Sequence, residues 1–211
     1  MSSPATPDPP RRGRRPRTYA AVLEATAQLL ATTSPAELSV AQILDAAGVG
    51  RTSFYEHFTS KDDVLVKLMA SLSDEVAVEL GPMFERGERT PDDAFRLGLA
   101  NLLDAASRYA PLVVAVAEEW PSIPQLREIW FAMLGEFTDR LARLIEQERA
   151  AGAAPAGADA RALAAALVWT AERSFHVAAG GSHPTLRDPS GLVEPLVQLF
   201  VGSIYGRAVV T

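Results

Sequence analysis

From Thr18 to Gly206 the apolar residues return every three or four positions, and over no stretch do they alternate as a strand requires. A period of 3.6 places such residues along one side of a helix. Each segment between breakers is then an amphipathic rod that must bury one face against another. The pattern predicts an all-α chain of about nine helices. Val22, Ala25 and Leu29 share one face with Leu23 and Leu30 beside them, and Thr33-Ser34-Pro35 ends this first helix. Ser39 with Gln42 three residues on has the spacing of a capping box. Val40, Ile43, Leu44 and Ala47 give the helix that follows its apolar face, and Gly48 can stop it at positive φ. A short third helix is expected over 51–57. Ser60 caps a fourth, which carries Asp62 and Asp63 in its first turn and ends at Gly81-Pro82. Thr90-Pro91 opens another helix, broken at Ala110-Pro111. A short segment over 112–119, a long helix over 124–150, an Ala-rich helix over 160–179 and a last one over about 191–206 complete the order.

Composition narrows the chemistry. The chain has no cysteine, which excludes disulfides, thiolate zinc sites and a Cys nucleophile. His176 and His183 stand apart from any carboxylate or histidine at zinc-ligand spacing, so no metal is expected. No G-x-S-x-G and no Gly-rich phosphate loop before a helix occurs, so neither an enzyme activity nor a cofactor is expected. No apolar run approaches the ~18 residues of a membrane span, and the Pro- and Arg-rich start lacks a signal peptide's apolar core. The expectation is a soluble cytoplasmic protein.

Charge is unevenly spread. Residues 1–60 carry six basic and five acidic side chains, a net +1, so the rest of the chain, with 14 basic and 21 acidic side chains, carries -7 of the overall -6. Five arginines (Arg11, Arg12, Arg14, Arg15 and Arg17) crowd into seven positions. With Pro4, Pro7, Pro9, Pro10 and Pro16 nearby, residues 1–17 read as a flexible arm. An acidic body with a basic arm suits a polyanion at one end, although such a tail also simply aids solubility.

The stretch from Ser39 to Lys61 concentrates the functional signal. Two short helices joined by a Gly-containing turn match a helix-turn-helix, whose second helix lies in the major groove with its first residues toward base edges. That helix begins Arg51-Thr52-Ser53. Arginine suits the O6/N7 edge of guanine, while hydroxyls are less selective. Phe54 and Phe58 read as core pegs, Tyr55 and His57 as outward groups for phosphates, and Lys61 as a further backbone contact. An ordinary αα corner with a polar outer helix shares this geometry.

The sequence A-G-V-G-R-T-S-F-Y-E-H-F-T-S-K-D-D-V-L, after one amphipathic helix and before a larger helical body, resembles the signature of the TetR family. The resemblance implies a three-helix DNA-binding domain over 18–62 and a ligand-binding and dimerisation domain over 63–211. It implies a homodimer on a palindromic double-stranded operator, most often a repressor released by a small effector. The family's DNA contacts carry over to Ser39, Arg51, Thr52, Ser53, Tyr55, His57 and Lys61, with Arg14 and Arg15 of the arm beside them. The alternative is a carrier of apolar ligands whose DNA-binding half is vestigial. G-A-A-P at 152–155, A-E-R-S-F at 171–175 and V-G-S-I-Y-G at 201–206 resemble the EthR-like branch of the family, which implies an apolar tunnel for a lipophilic effector. Its expected wall includes Phe95, Leu102, Trp130, Leu134, Phe137 and Leu141, then Val168, Trp169, Ala171, Phe175 and Phe200. Val168 and Ala171 replace asparagines of that pattern, which leaves Thr170, Glu172 or backbone groups to orient a guest. The dimer interface is expected on the last two helices, through Ala164, Ala165, Gly202 and Ser203 with Leu192, Leu196 and Leu199.

Overall fold

The computed structural model describes residues 14–85, 87–180, 184–186 and 189–206. The expectations for Arg11, Arg12, the rest of 1–13 and His183 lie outside the described residues, as do those for the side chains of Arg14 and Arg15. Among the described residues there are ten α-helices and no strand. The chain divides into two compact units between Leu68 and Met69.

The first unit contains α1 (Arg14–Leu29), α2 (Val40–Ala47), α3 (Arg51–Tyr55) and the first turns of α4 (Lys61–Glu79). Helix α1 begins within the segment expected to be a flexible arm. Pro16 is its third residue, where a missing N–H breaks no intrahelical bond. Val22 and Ala25 are buried on its inner side, together with Thr26, whose Oγ1 donates to the Val22 carbonyl at 2.8 Å, and Leu30 is buried just past its end. Helix α2 has the capping box that its sequence predicts: Gln42 N–H donates to Ser39 Oγ at 3.3 Å, and Ser39 N–H to Gln42 Oε1 at 2.8 Å. Gly48 ends it at φ 62°, a conformation that costs a side-chain-bearing residue strain. Helix α3 is two residues shorter than expected. At the start of α4, Asp63 N–H donates to Ser60 Oγ at 3.1 Å, and the Asp63 carboxylate accepts from Thr59 N–H at 2.8 Å.

The second unit holds the remainder of α4, then α5 (Gly81–Phe84), α6 (Pro91–Arg108), α7 (Ala110–Glu119), α8 (Pro124–Ala150), α9 (Ala160–Ala179), a 3₁₀ turn (Pro189–Leu192) and α10 (Val193–Tyr205). Gly81-Pro82, expected as a stop, instead starts the one-turn helix α5, because proline is accommodated in a first turn. Helix α8 packs along α9, and α6 packs against α5 and α10. Gly98 permits the α5–α6 approach: a Cβ there would lie 3.0 Å from that of Met83. Arg96 ties α6 to α10 through a forked contact with Glu194 at 2.6 and 3.3 Å. Thr90 and Asp159 cap α6 and α9, accepting from Asp93 N–H and Ala162 N–H.

One expectation for the last two helices is overturned. Leu192, Leu196 and Ala164, assigned to a dimer interface, are buried within the unit's own core, whereas Leu199 is 40% exposed. Leu196 and Phe200 of α10, with Leu192 of the preceding 3₁₀ turn, meet the core on one side, and position 199 lies off that stripe.

Candidate nucleic-acid interface and effector cavity

In the first unit, α3 is held by its aromatic side. Phe54 and Phe58 are fully buried with ring centroids 5.3 Å apart, and Tyr19 of α1 stacks on Phe58 at 5.2 Å. Fixing Phe54 inward turns Arg51, Thr52 and Tyr55, at positions i, i+1 and i+4, to solvent. Tyr55 is 50% exposed and Ser53 is half-buried. Arg51 forms no ion pair with a carboxylate among the described residues, so its guanidinium's donors are available. Ser39 is exposed at the start of α2, its hydroxyl engaged by Gln42.

Two expected phosphate ligands are placed differently. The His57 ring does not project outward. It sits 6.1 Å from the Tyr19 ring, and its Nε2 is buried without a hydrogen-bond partner among the described residues. Lys61 donates to the carbonyls of Pro35 and Ala36 at 2.7 and 3.3 Å, so its ammonium pins the α1–α2 loop. Sequence reasoning passed over Lys67, whose Nζ donates to the His57 carbonyl at 2.6 Å and lies 4.9 Å from the Phe58 ring centre. A lysine three residues after Val64 on an amphipathic helix carries no sequence signal for that contact.

Within the second unit lies an apolar cavity of about 120 Å³. Nine of the eleven expected wall residues line it: Leu102, Trp130, Leu134, Phe137, Leu141, Val168, Ala171, Phe175 and Phe200. Phe95 does not. It is buried one layer behind, its ring 5.5 Å from that of Phe200, and Leu99, one turn further along α6, reaches the cavity instead. Trp169 does not either: it is 37% exposed and meets Phe131 at 6.1 Å. The cavity face of α9 runs through 168, 171, 172, 175 and 176, and residue 169 is turned about 100° from residue 168. Thr170 is likewise excluded, exposed and donating to the Ala166 carbonyl at 2.7 Å.

Met69, Met83 and Met133 also line the cavity and were missed. Unbranched thioether side chains repack readily, so they give the wall adaptability. Glu172, Trp130 and His176 are the polar side chains of its lining. The Glu172 side chain is only 9% exposed, and its Oε2 has no hydrogen-bond partner among the described residues; Arg173 Nε stands 3.8 Å away. Burial pushes this carboxyl above the usual carboxylate range, and Arg173 partly opposes the shift. The Trp130 indole N–H is also buried and lacks a partner among the described residues. No cluster of three His, Asp or Glu side chains with metal-binding geometry occurs among the described residues.

Residues 22–68 match the family of bacterial regulatory proteins of the tetR family, and residues 95–206 match the C-terminal domain of the transcriptional regulator EthR. The chain is 31% identical over 187 residues to the HTH-type transcriptional regulator EthR of Mycolicibacterium smegmatis, covering 89% of this chain and 86% of that one. It is 27% identical over 188 residues to the EthR of Mycobacterium tuberculosis, covering 89% and 87%. A transcriptional regulator from Rhodococcus sp. Rha1 has the same fold, with a TM-score of 0.70 and 26% identity over 93% of this chain and 98% of that one. These relatives are regulators, not enzymes. With a helix-turn-helix unit and an EthR-type C-terminal unit both matched, the chain belongs to the TetR family of helix-turn-helix transcriptional regulators.

Proposed function

We propose that this regulator is a repressor that binds a palindromic operator as a homodimer in the cytoplasm and is released by a small, uncharged, lipophilic effector. The observation that carries the reading is the pairing of an exposed Arg51–Thr52–Tyr55 face with an apolar cavity in the C-terminal unit. Arg51 reads a base edge, Thr52 and Ser53 add hydroxyl contacts, and Ser39 and Tyr55 hold phosphates. Lys61 and His57 serve by fixing the loop and α3 rather than through a free charged tip. Arg14 and Arg15 add electrostatic attraction from the N-terminal side. A carrier with vestigial DNA binding would have no use for an uncompensated arginine at the head of α3.

The cavity is the size of an engineered apolar void that takes up benzene. Larger effectors enter as Met69, Met83 and Met133 move aside. Such a ligand releases DNA only if it binds more tightly to the arrangement that fits the operator poorly. The test is a gel shift with the promoter fragment beside the protein's own gene, repeated with compounds that raise the thermal midpoint in a screen of lipophilic esters, amides and ketones. Retarded DNA that is released by such a compound supports the reading. Failure to retard that fragment, or release by charged polar compounds alone, refutes it.

A further inference from the structure

Three polar side chains interrupt the cavity's apolar wall, Trp130, Glu172 and His176, and the first two carry buried atoms of opposite hydrogen-bonding character. The Trp130 indole N–H can only donate, and the Glu172 carboxyl can accept. Both belong to lining residues, and neither has a hydrogen-bond partner among the described residues. A buried polar group left without a partner is costly, and a guest that satisfies it recovers that cost on binding. We propose that Glu172 and Trp130 together select a neutral secondary amide, its N–H donated to Glu172 and its carbonyl accepting from Trp130, with an alkyl body filling the methionine- and phenylalanine-lined space.

This deepens the proposed effector reading and rests on it. An ester or ketone meets Trp130 and leaves Glu172 bare. An ammonium would need Glu172 ionised in an otherwise apolar chamber, with the Arg173 guanidinium already 3.8 Å from the same oxygen and repelling a second cation. Burial favours the uncharged carboxyl, which still accepts through its carbonyl oxygen. A neutral donor is the better match. The helix face explains why these two residues act together: Glu172 shares the cavity stripe of α9 with Val168 and Phe175, and Trp130 shares that of α8 with Leu134 and Phe137.

Four probes with one six-carbon chain separate the possibilities: N-methylhexanamide, N,N-dimethylhexanamide, methyl hexanoate and hexylamine. Affinities are measured by calorimetry on the full chain and on the Glu172→Leu, Glu172→Gln and Trp130→Phe variants, with far-UV circular dichroism as the check on folding. The secondary amide should bind about 10-fold more tightly than the tertiary amide and the ester, the ratio expected from one satisfied buried hydrogen bond. Glu172→Gln, which keeps an acceptor, should retain the preference, and Glu172→Leu should abolish it. Trp130→Phe should weaken all three carbonyl probes alike. Equal affinity for amide and ester, a preference that survives Glu172→Leu, or hexylamine as the tightest probe overturns the assignment and leaves a lipophilic effector intact. Binding of none of the four overturns the effector reading as well.

Discussion

Removing the Glu172 carboxyl should stabilise the C-terminal unit, and the gain should grow with pH. The group is nearly enclosed, and its Oε2 accepts no hydrogen bond from a described residue. Leaving a buried polar atom without a partner costs roughly 1–3 kcal/mol. The offset from Arg173 is small: that side chain is 54% exposed and 3.8 Å away, which leaves a screened attraction of under about 1 kcal/mol. Glu172→Leu should therefore gain about 1–2 kcal/mol near neutrality. At roughly 2–4 °C per kcal/mol, the thermal midpoint should rise by about 2–8 °C.

The pH dependence follows from the direction of the shift. Burial raises the folded-state value above the ordinary carboxylate one that the unfolded chain has. The folded protein then holds the Glu172 proton more tightly, so this group's contribution is fully present below the unfolded value and lost as pH rises through the folded value. Glu172→Leu should thus have its largest effect above that value and a smaller one in acid. Urea unfolding of wild type, Glu172→Leu and Glu172→Gln across pH, followed by circular dichroism, reads this directly. If Glu172→Leu destabilises the unit at alkaline pH, the carboxylate is satisfied in the folded state and the reasoning fails.

Arg51→Ala should weaken operator binding by about 1–3 kcal/mol per contact and relax base preference while leaving stability unchanged. A gel shift against half-site variants measures both, and an unaltered preference would assign base reading elsewhere. Phe137→Arg places a charge on the cavity wall and should abolish effector response while DNA binding persists, as read by release assays. Leu199→Glu, at the exposed apolar position of α10, should shift the mass measured by light scattering from dimer to monomer; a well-folded dimer would relocate the interface. Deleting residues 1–13, which stops short of α1, should flatten the dependence of log affinity on log salt, because each lost phosphate contact removes a slope of about -0.9. An unchanged slope would make this segment a solubility tail.

Residue order alone determined what is decided within a turn or two of chain. The Ser39–Gln42 capping box, the left-handed Gly48, the Thr90-Pro91 start and the apolar stripe of α8 involve partners at most a few positions apart, and each appears where its sequence places it. The same locality makes the helix-turn-helix legible, because burying Phe54 leaves only Arg51, Thr52 and Tyr55 to face outward. Packing between distant segments decided the rest. His57 turned inward because Tyr19 of α1 lies against its edge, and Lys61 was taken by carbonyls at 35 and 36, some 25 residues away in the chain. Periodicity names a helix's apolar residues but not which neighbour each meets, so Phe95 fell behind Phe200 while Leu99 reached the cavity. Trp169 and Leu192 exchanged expected roles, one turned to solvent and the other to the core, for the same reason. The Glu172–Trp130 pair is the clearest case: the two residues are 42 positions apart in the chain, and they came to line one largely apolar chamber only when α8 and α9 packed together.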